Sequence, residues 1–371
     1  MTEIPTVIVL GSYAPSLILF RGPLIAELVR RGYDVIAMAP RIDADTDAAV
    51  RALGATPQEI ALDNASMSPT ATMATIRALE AAFRQIAPQA VIAYTIKPVT
   101  LGTLAAARAK VPNIVALITG LGFAFTEGGG LKRRVSRIVA TLLYKRALRK
   151  ASSVIFQNPD DRAFFRAAGI LKRDDAAVVN GSGIDLARFE VAPLAEAPIF
   201  LMIARLLGDK GVREYAAAAA LVKAKHPQAR FQLVGYLDPS PDGVTQAEVD
   251  GWAGAVEFLG RMDDVRPAIA AARVYVLPSY REGTPRSSLE AMAMGRPIVT
   301  TDVPGCRETV VDGVNGLLVP VRDAGALAAA MERLIAEPQL ADRMGQESRR
   351  IAEEKFDVHR VNDAILAAAG L

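Results

Sequence analysis

The sequence predicts an α/β protein made of two doubly wound domains with an interdomain cleft. Three observations predict it. The chain has 371 residues, too many for one ordinary core and comfortable for two. Short, continuously apolar runs alternate with amphipathic stretches along its whole length, as expected of parallel strands buried on both faces by helices. The same alternation then restarts after a proline-containing break at 191–198.

Taken in order, the runs at 6–10, 35–39, 90–94, 113–119 and 153–158 read as the strands of a first sheet, with helices at 22–31, 70–87 and 100–109 between them. The runs at 199–204, 230–235, 256–260, 274–279 and 297–302 read as a second sheet, with helices at 212–225 and 287–294. The tail, 356–370, reads as one more helix. The expected domains are 1–190 and 191–355, with 356–371 as a terminal helix. Ligands of such sheets sit beyond the carboxyl ends of the strands, so a cleft between two such domains is the expected site.

Composition excludes several classes. Cys306 is the one cysteine, so no internal disulfide forms, which favours a reducing compartment. Residues 1–5 carry no positive cluster and the apolar run that follows is too short for a signal peptide. No run approaches the roughly 18 apolar residues of a membrane span. The chain is therefore expected in the cytoplasm. Residues 1–190 hold 23 Lys+Arg against 16 Asp+Glu, whereas 191–371 hold 20 against 24; the asymmetry reads either as different partners for the two halves or as scatter.

The sharpest chemical signal is PSYREGTPRSSLEAMAM at 278–294. A strand ends, a turn holding Gly283 and Pro285 follows, and a helix begins near Arg286. The unpaired amides and positive dipole end of a helix start suit a diphosphate. Glu282 and Glu290, with seven residues between them, flank that turn; a carboxylate accepts two hydrogen bonds from vicinal hydroxyls such as those of ribose or a hexose. The bland alternative is a surface turn with ordinary helix acids. The second signal is ARLLGDKG at 204–211, where Arg205 and Lys210 follow the first strand of the second sheet. Fixed cations there would stabilise the charge that develops on a leaving nucleoside diphosphate. Two surface cations at a helix start is the alternative.

These segments, with Leu233-Val234-Gly235, Phe258-Leu259-Gly260-Arg261 and the E-G-x-P…L-E-A stretch, resemble family 4 retaining glycosyltransferases of GT-B fold, two Rossmann-like domains. The resemblance covers essentially the whole chain and is most specific over 199–320. It implies that Glu282 meets the hydroxyls of the donor sugar and Glu290 the ribose. It implies that Arg205 and Lys210 grip the diphosphate, and that amides from Gly283 through Thr284, Pro285, Ser287, Ser288 and Leu289 hold sugar and phosphate. Gly235 ends a strand at this site, and Arg261–Met262 would meet the base. The tail helix would cross back onto the first domain. The resemblance implies a UDP-sugar as co-substrate, with a GDP-linked donor open, and no required cofactor or metal. In the mechanism it implies, the acceptor attacks the face that the diphosphate is leaving.

The first half adds Gly11 and Ser12 after its first strand, where donor or acceptor could approach closely, and Arg21, Lys97, Thr119 and Gly120 at expected strand ends, as acceptor contacts. This half is similar to a bacterial subgroup that adds a hexose or N-acetylhexosamine to a glycan on undecaprenyl diphosphate at the cytoplasmic membrane face. Neither histidine, His226 or His359, lies in this half; both read as helix-surface residues. The segment 131–150 carries eight Lys/Arg and no acid. Its apolar stripe and the cations Arg133, Arg134, Arg137, Lys145 and Arg146 read either as a peripheral contact with an anionic membrane surface or as a core helix with a solvated basic face. Nucleic acid is not expected as a partner, because basic and aromatic residues do not interleave. Asp43, Asp45 and Asp47 read as a helix start rather than a metal site. Two other functions share parts of the pattern: a nucleotide-sugar epimerase, and a two-lobed sugar-binding transport protein.

Overall fold

The computed structural model describes residues 4–63, 68–121, 131–240 and 242–371, with the side chains of 131–135 excluded. The chain divides into two units, Met1–Ser182 with Val361–Leu371, and Gly183–Arg360.

The first unit holds β1 (Thr6–Leu10), β2 (Asp34–Ala39), β3 (Thr56–Glu59), β4 (Ala90–Tyr94), β5 (Asn113–Ile118), β6 (Ser153–Phe156) and β7 (Ala177–Val178). Its helices are α1 (Ser16–Leu19), α2 (Gly22–Arg30), α3 (Ala44–Ala52), α4 (Pro69–Ile86), α5 (Thr103–Arg108), α6 (Leu131–Leu148) and α7 (Pro159–Ala167). The strands form one sheet in the order β3-β2-β1-β4-β5-β6-β7, parallel throughout. The apolar runs are continuous because both faces are covered. Ile8 and Leu10 of β1 join one core, with Val91 and Ala93. Val7 and Val9 join the other, with Ile92, Val115 and Ile155.

The second unit holds β8 (Ile199–Ile203), β9 (Arg230–Val234), β10 (Glu257–Gly260), β11 (Val274–Leu277), β12 (Ile298–Thr301) and β13 (Gly316–Val319). Its helices are α8 (Val212–Lys225), α9 (Gln246–Gly251), α10 (Arg266–Ala271), α11 (Arg286–Ala293), α12 (Ala324–Ala336) and α13 (Pro338–Lys355); α14 (Val358–Ala369) follows. The strand order is β10-β9-β8-β11-β12-β13, again parallel. Phe200 and Phe231 stack at 5.1 Å beneath Tyr215, whose buried hydroxyl donates to the Phe200 and Gln232 carbonyls.

Strand order reverses between β1 and β4 in one sheet and between β8 and β11 in the other. Loops leaving such neighbouring strands diverge and leave a crevice at their carboxyl ends. Gly11 and Ser12 follow β1, Lys97 follows β4, the 204–211 segment follows β8 and the 278–285 turn follows β11, so these expected site residues of each unit fall at a switch point.

Three expectations change. The 191–198 break does not mark the division but lies inside the second unit: the fully buried Arg296 donates to the Ala192 and Pro193 carbonyls and Arg273 to that of Ala195. The division falls instead at Ser182–Gly183, beside Gly181 and Gly183, which hold left-handed backbone. The helix expected at 100–109 begins earlier, with a π turn at Pro98–Gly102 that leads into α5. The polar edge strand β3, the two-residue β7 and β13 are additions to the sequence reading. As expected, Asp43 caps α3, its carboxylate accepting from the Thr46 amide at 2.7 Å. His226 caps α8 and His359 is exposed at the start of α14. Among the described residues no helix is long and apolar enough to cross a membrane.

The tail segment Val361–Leu371 belongs to the first unit. Val361, Ile365, Leu366 and Ala369 share one helix face and join the core of β1, β4 and β5. Asn113 of β5 donates to the Ala369 carbonyl at 2.6 Å, and Arg31 pairs with Asp363 at 2.6 Å. Leu366→Ala is expected to cost about 2–5 kcal/mol, read as a lower urea midpoint for the first unit.

Candidate functional site

Two close backbone approaches build the site in the second unit. Gly211 has φ +71°, and a Cβ there would lie 2.1 Å from the Pro278 carbonyl oxygen. Gly305 has φ +84°, and its Cβ would lie 2.2 Å from the Glu282 carbonyl oxygen. Between them the turn after β11 is held on both sides: the Tyr280 amide donates to the Asp209 carbonyl at 2.8 Å and the Glu282 amide to that of Pro304 at 3.0 Å.

This stitching brings Lys210 and Glu282 together at 2.6 Å, their side chains 17% and 16% exposed. The buried Ser279 hydroxyl donates to the same Glu282 oxygen at 2.9 Å. Burial works against the Lys210 ammonium, but the adjoining Glu282 outweighs it and holds the pKa above the ordinary lysine value. An ammonium has three donors, so the contact with Glu282 leaves two for an anionic ligand. Burial raises the carboxyl pKa of Asp209, opposed by Lys210.

Arg205 is exposed and pairs with Asp238 at 3.0 Å. It also acts electrostatically on Lys210 and Asp209, so the three charges form one cluster. Gly235 ends β9, its amide bonded to the Gly260 carbonyl. Arg261 lies open to solvent, 3.7 Å from Asp263, and Met262 packs against the edge of the core.

α11 starts after Pro285, which gives it no side-chain cap, and its first turn holds no acid; its positive end is therefore not neutralised by its own residues. The run of amides offered there is shorter than the expected 283–289. Pro285 has no N–H, and the amides of Ser288 and Leu289 both turn inward to the Pro285 carbonyl, at 3.1 and 3.2 Å. Ser288 and Leu289 are fully buried. The Ser287 hydroxyl meets Tyr275 at 2.6 Å, and that of Thr284 donates to the Gly283 carbonyl. Glu290 is 12% exposed and accepts from Arg286 at 2.9 Å. Burial pushes its carboxyl above the ordinary range, with Arg286 opposing.

In the first unit, Gly11 lies against Tyr94, and the hydroxyls of Ser12 and Thr95 meet at 2.7 Å. Arg21 departs from its expected role as an acceptor contact. It is 2% exposed, and its guanidinium lies 5.0 Å from the centre of the Tyr94 ring. Buried like its chain neighbours Leu17, Leu24 and Ile25, it is withdrawn from solvent with its aromatic partner. Lys97 donates to the Asp63 carbonyl, and burial lowers its pKa. Thr119 and Gly120 follow β5, half-buried.

On α6, Arg133 and Arg134 lie outside the described side chains. Arg137 and Arg146 are exposed and Lys145 half-buried. The described part of the apolar stripe does not face the core: Ile138, Val139 and Leu142 are 54%, 38% and 47% exposed, while Tyr144, Ala147 and Leu148 are buried. Arg137, Ile138, Thr141 and Leu142 line a shallow groove of about 360 Å³ with Phe164 and Ala168.

The sequence reading missed Asp238, Ser279, Gly305 and Arg286 as parts of the site. Arg286 had a signal, since it stands inside the E-x₇-E stretch; the others are joined to the site only by folding.

Residues 197–337 match the family of glycosyl transferases group 1, and residues 22–181 the glycosyl transferase 4-like domain. The N,N'-diacetylbacillosaminyl-diphospho-undecaprenol alpha-1,3-N-acetylgalactosaminyltransferase of Campylobacter jejuni is 32% identical over 335 residues, covering 86% of this chain and 87% of its own length. The chain belongs to the group 1, family 4-like glycosyltransferases. Its fold is GT-B. The sucrose-phosphate synthase of Thermosynechococcus elongatus superposes with a TM-score of 0.79 at 21% identity, over 96% of each chain. Anabaena HepE, solved in complex with UDP-glucose, superposes with a TM-score of 0.79 at 22% identity, over 98% of this chain and 99% of its own.

In this glycosyltransferase, Gly211→Ala adds a left-handed residue costing about 1–2 kcal/mol and a clash with Pro278. The thermal midpoint is expected to fall. Gly251, where a Cβ meets nothing within 4 Å, is the control: Gly251→Ala is expected to leave the midpoint unchanged or raise it.

Proposed function

We propose that the chain moves a hexose or N-acetylhexosamine from a UDP-sugar to a glycan carried on undecaprenyl diphosphate, with retained stereochemistry. The observation that carries the reading is the Lys210–Glu282 contact at the start of α11, with Arg205 in the same charge cluster. An uncapped helix start and two cations suit a diphosphate, and the carboxylate beside them suits sugar hydroxyls.

In this reading Glu282 accepts hydroxyls of the donor sugar and Glu290 those of the ribose. The backbone at Gly283 and Thr284 adjoins the sugar, and Arg261–Met262 meet the base. The acceptor hydroxyl attacks the anomeric carbon on the face the diphosphate is leaving. The carbon–oxygen bond to phosphate breaks as the new glycosidic bond forms, through an oxocarbenium-like transition state. The departing phosphate oxygen takes the acceptor's proton, so no protein base is required. Lys210 and Arg205 stabilise the charge growing on the diphosphate. They supply what a divalent cation would otherwise supply, and the proposal includes no metal or organic cofactor.

The UDP donor is supported by the UDP-glucose complex of a protein with the same fold, and the lipid-linked acceptor by the activity named for the Campylobacter relative. The first unit would bind the acceptor. Peripheral membrane binding on the cytoplasmic face is supported by α6. Its exposed Ile138, Val139 and Leu142 lie beside exposed cations, the arrangement that inserts apolar side chains while cations meet anionic headgroups.

Two outcomes test this. With UDP-sugar and a lipid-linked acceptor, Lys210→Ala and Glu282→Ala should each lower UDP release by about a hundredfold or more; undiminished turnover in both refutes the site, and GDP release with a GDP-sugar reassigns the base. With Arg137, Lys145 and Arg146 changed to glutamine, sedimentation with anionic liposomes should fall sharply, at about 1 kcal/mol per cation. Unchanged sedimentation removes α6 as the contact.

A further inference from the structure

Arg286 stands where helix electrostatics give it little support. It is the first residue of α11, at the positive end of the dipole, where a cation is destabilising. It lies four residues before its partner Glu290, the weaker order for such a pair. Helix stability therefore gives only a weak reason for an arginine here. The geometry gives another. Glu290 is 12% exposed and Arg286 20%. Arg286 Nε donates to Glu290 Oε1 at 2.9 Å, and among the described residues no other side chain hydrogen-bonds this carboxylate. One oxygen is engaged and Oε2 is left for a ligand.

We propose that Arg286 is a positioning residue for the nucleotide, holding Glu290 by Oε1 so that Oε2 accepts the ribose hydroxyls of a ribonucleoside diphosphate. The inference rests on the proposed function, in which Glu290 meets the ribose. The feature it deepens is recognition of the vicinal ribose hydroxyls, whichever base is attached, because a 2′,3′-dideoxyribose has no donor for that oxygen.

The charges around Glu290 set the pH behaviour. Burial raises its pKa and Asp264, before α10, pushes the same way; Arg286 and Arg188 oppose them, and the neutral Tyr275 hydroxyl of β11 lies nearby. Without Arg286 only Arg188 opposes burial, so Glu290 takes up its proton at higher pH. Ribose binding should then weaken as pH falls, because a protonated carboxyl has lost acceptor strength.

The experiment measures, by calorimetry, dissociation constants for UDP and GDP and for their 2′,3′-dideoxy forms, with the full chain, at about pH 6 and about pH 8. Wild type is expected to prefer the ribonucleotide. Arg286→Met should weaken the ribonucleotide about tenfold, more at the lower pH, while the dideoxy form is unaffected, and Arg286→Lys should recover much of the loss. Glu290→Gln, which keeps the shape without the charge, should lose the preference and its pH dependence. If Arg286→Met weakens both forms alike, the guanidinium acts on the diphosphate itself and the proposal fails. It fails equally if the preference survives in Arg286→Met or Glu290→Gln. Wild type that binds neither UDP nor GDP sinks the proposed function, and this inference with it; wild type that prefers the ribonucleotide while Arg286→Met behaves identically sinks this inference alone.

Discussion

The contact between Lys210 and Glu282 orders the second unit's chemistry. It joins two turns that are 72 residues apart in sequence, one after β8 and one after β11, the neighbours at which strand order reverses. A switch point opens a crevice, but it does not fix the side chains in it. Here the fixing is done by backbone approach. Gly211 lies on Pro278 and Gly305 on Glu282, each closer than any side chain would allow. A cation and a carboxylate that are mostly withdrawn from water lose hydration. Their hydrogen bond, with Ser279 added on the carboxylate, offsets that loss.

The same pairing is suited to exchange. In the proposed function a diphosphate would bring acceptor oxygens to the two remaining donors of Lys210, and a sugar would bring hydroxyl donors to Glu282. Neither group must be created or reoriented from solvent. Under that proposal, charge that develops on a leaving phosphate would meet cations already in place, which is where electrostatic catalysis gains over water. The start of α11 contributes in the same direction, because neither its cap nor its first turn supplies an acid to cancel the dipole.

Much of the fold was legible in the sequence because buried parallel strands must be continuously apolar. The runs at 6–10 and 90–94 match β1 and β4 residue for residue. β3 was not legible: TPQE is polar and carries a proline, as an edge strand tolerates but a central one does not. The 191–198 segment misled because proline marks a break in ladder hydrogen bonding, whereas Arg296 and Arg273, about 80 to 100 residues away in sequence, satisfy its carbonyls. Lys210, Glu282 and Glu290 were legible as residue types at a strand-to-helix turn. Their partners were not, since Asp238, Ser279 and Gly305 reach them only through sheet order. Arg21 shows the reverse error: a cation near an expected strand end reads as a ligand contact, but the apolar residues around it draw it under Tyr94.

α6 shows how far periodicity alone can decide. A stripe of Leu, Val and Ile at helical spacing is consistent with burial or with an outward apolar face, and the pattern is identical in both cases. The choice depends on which neighbours claim the other side. Tyr144 and Phe165 meet edge-to-face at 5.0 Å, and Phe156 adds a third ring against Phe165. That aromatic cluster fixes α6 by its Tyr144, Ala147 and Leu148 face. With that side committed, Ile138 and Leu142 must point elsewhere, because a helix cannot bury both stripes against one sheet. The exposed positions Ile138 and Leu142 thus follow from the position of a few aromatic residues, and with the cations near them they are the feature on which the proposed membrane contact rests.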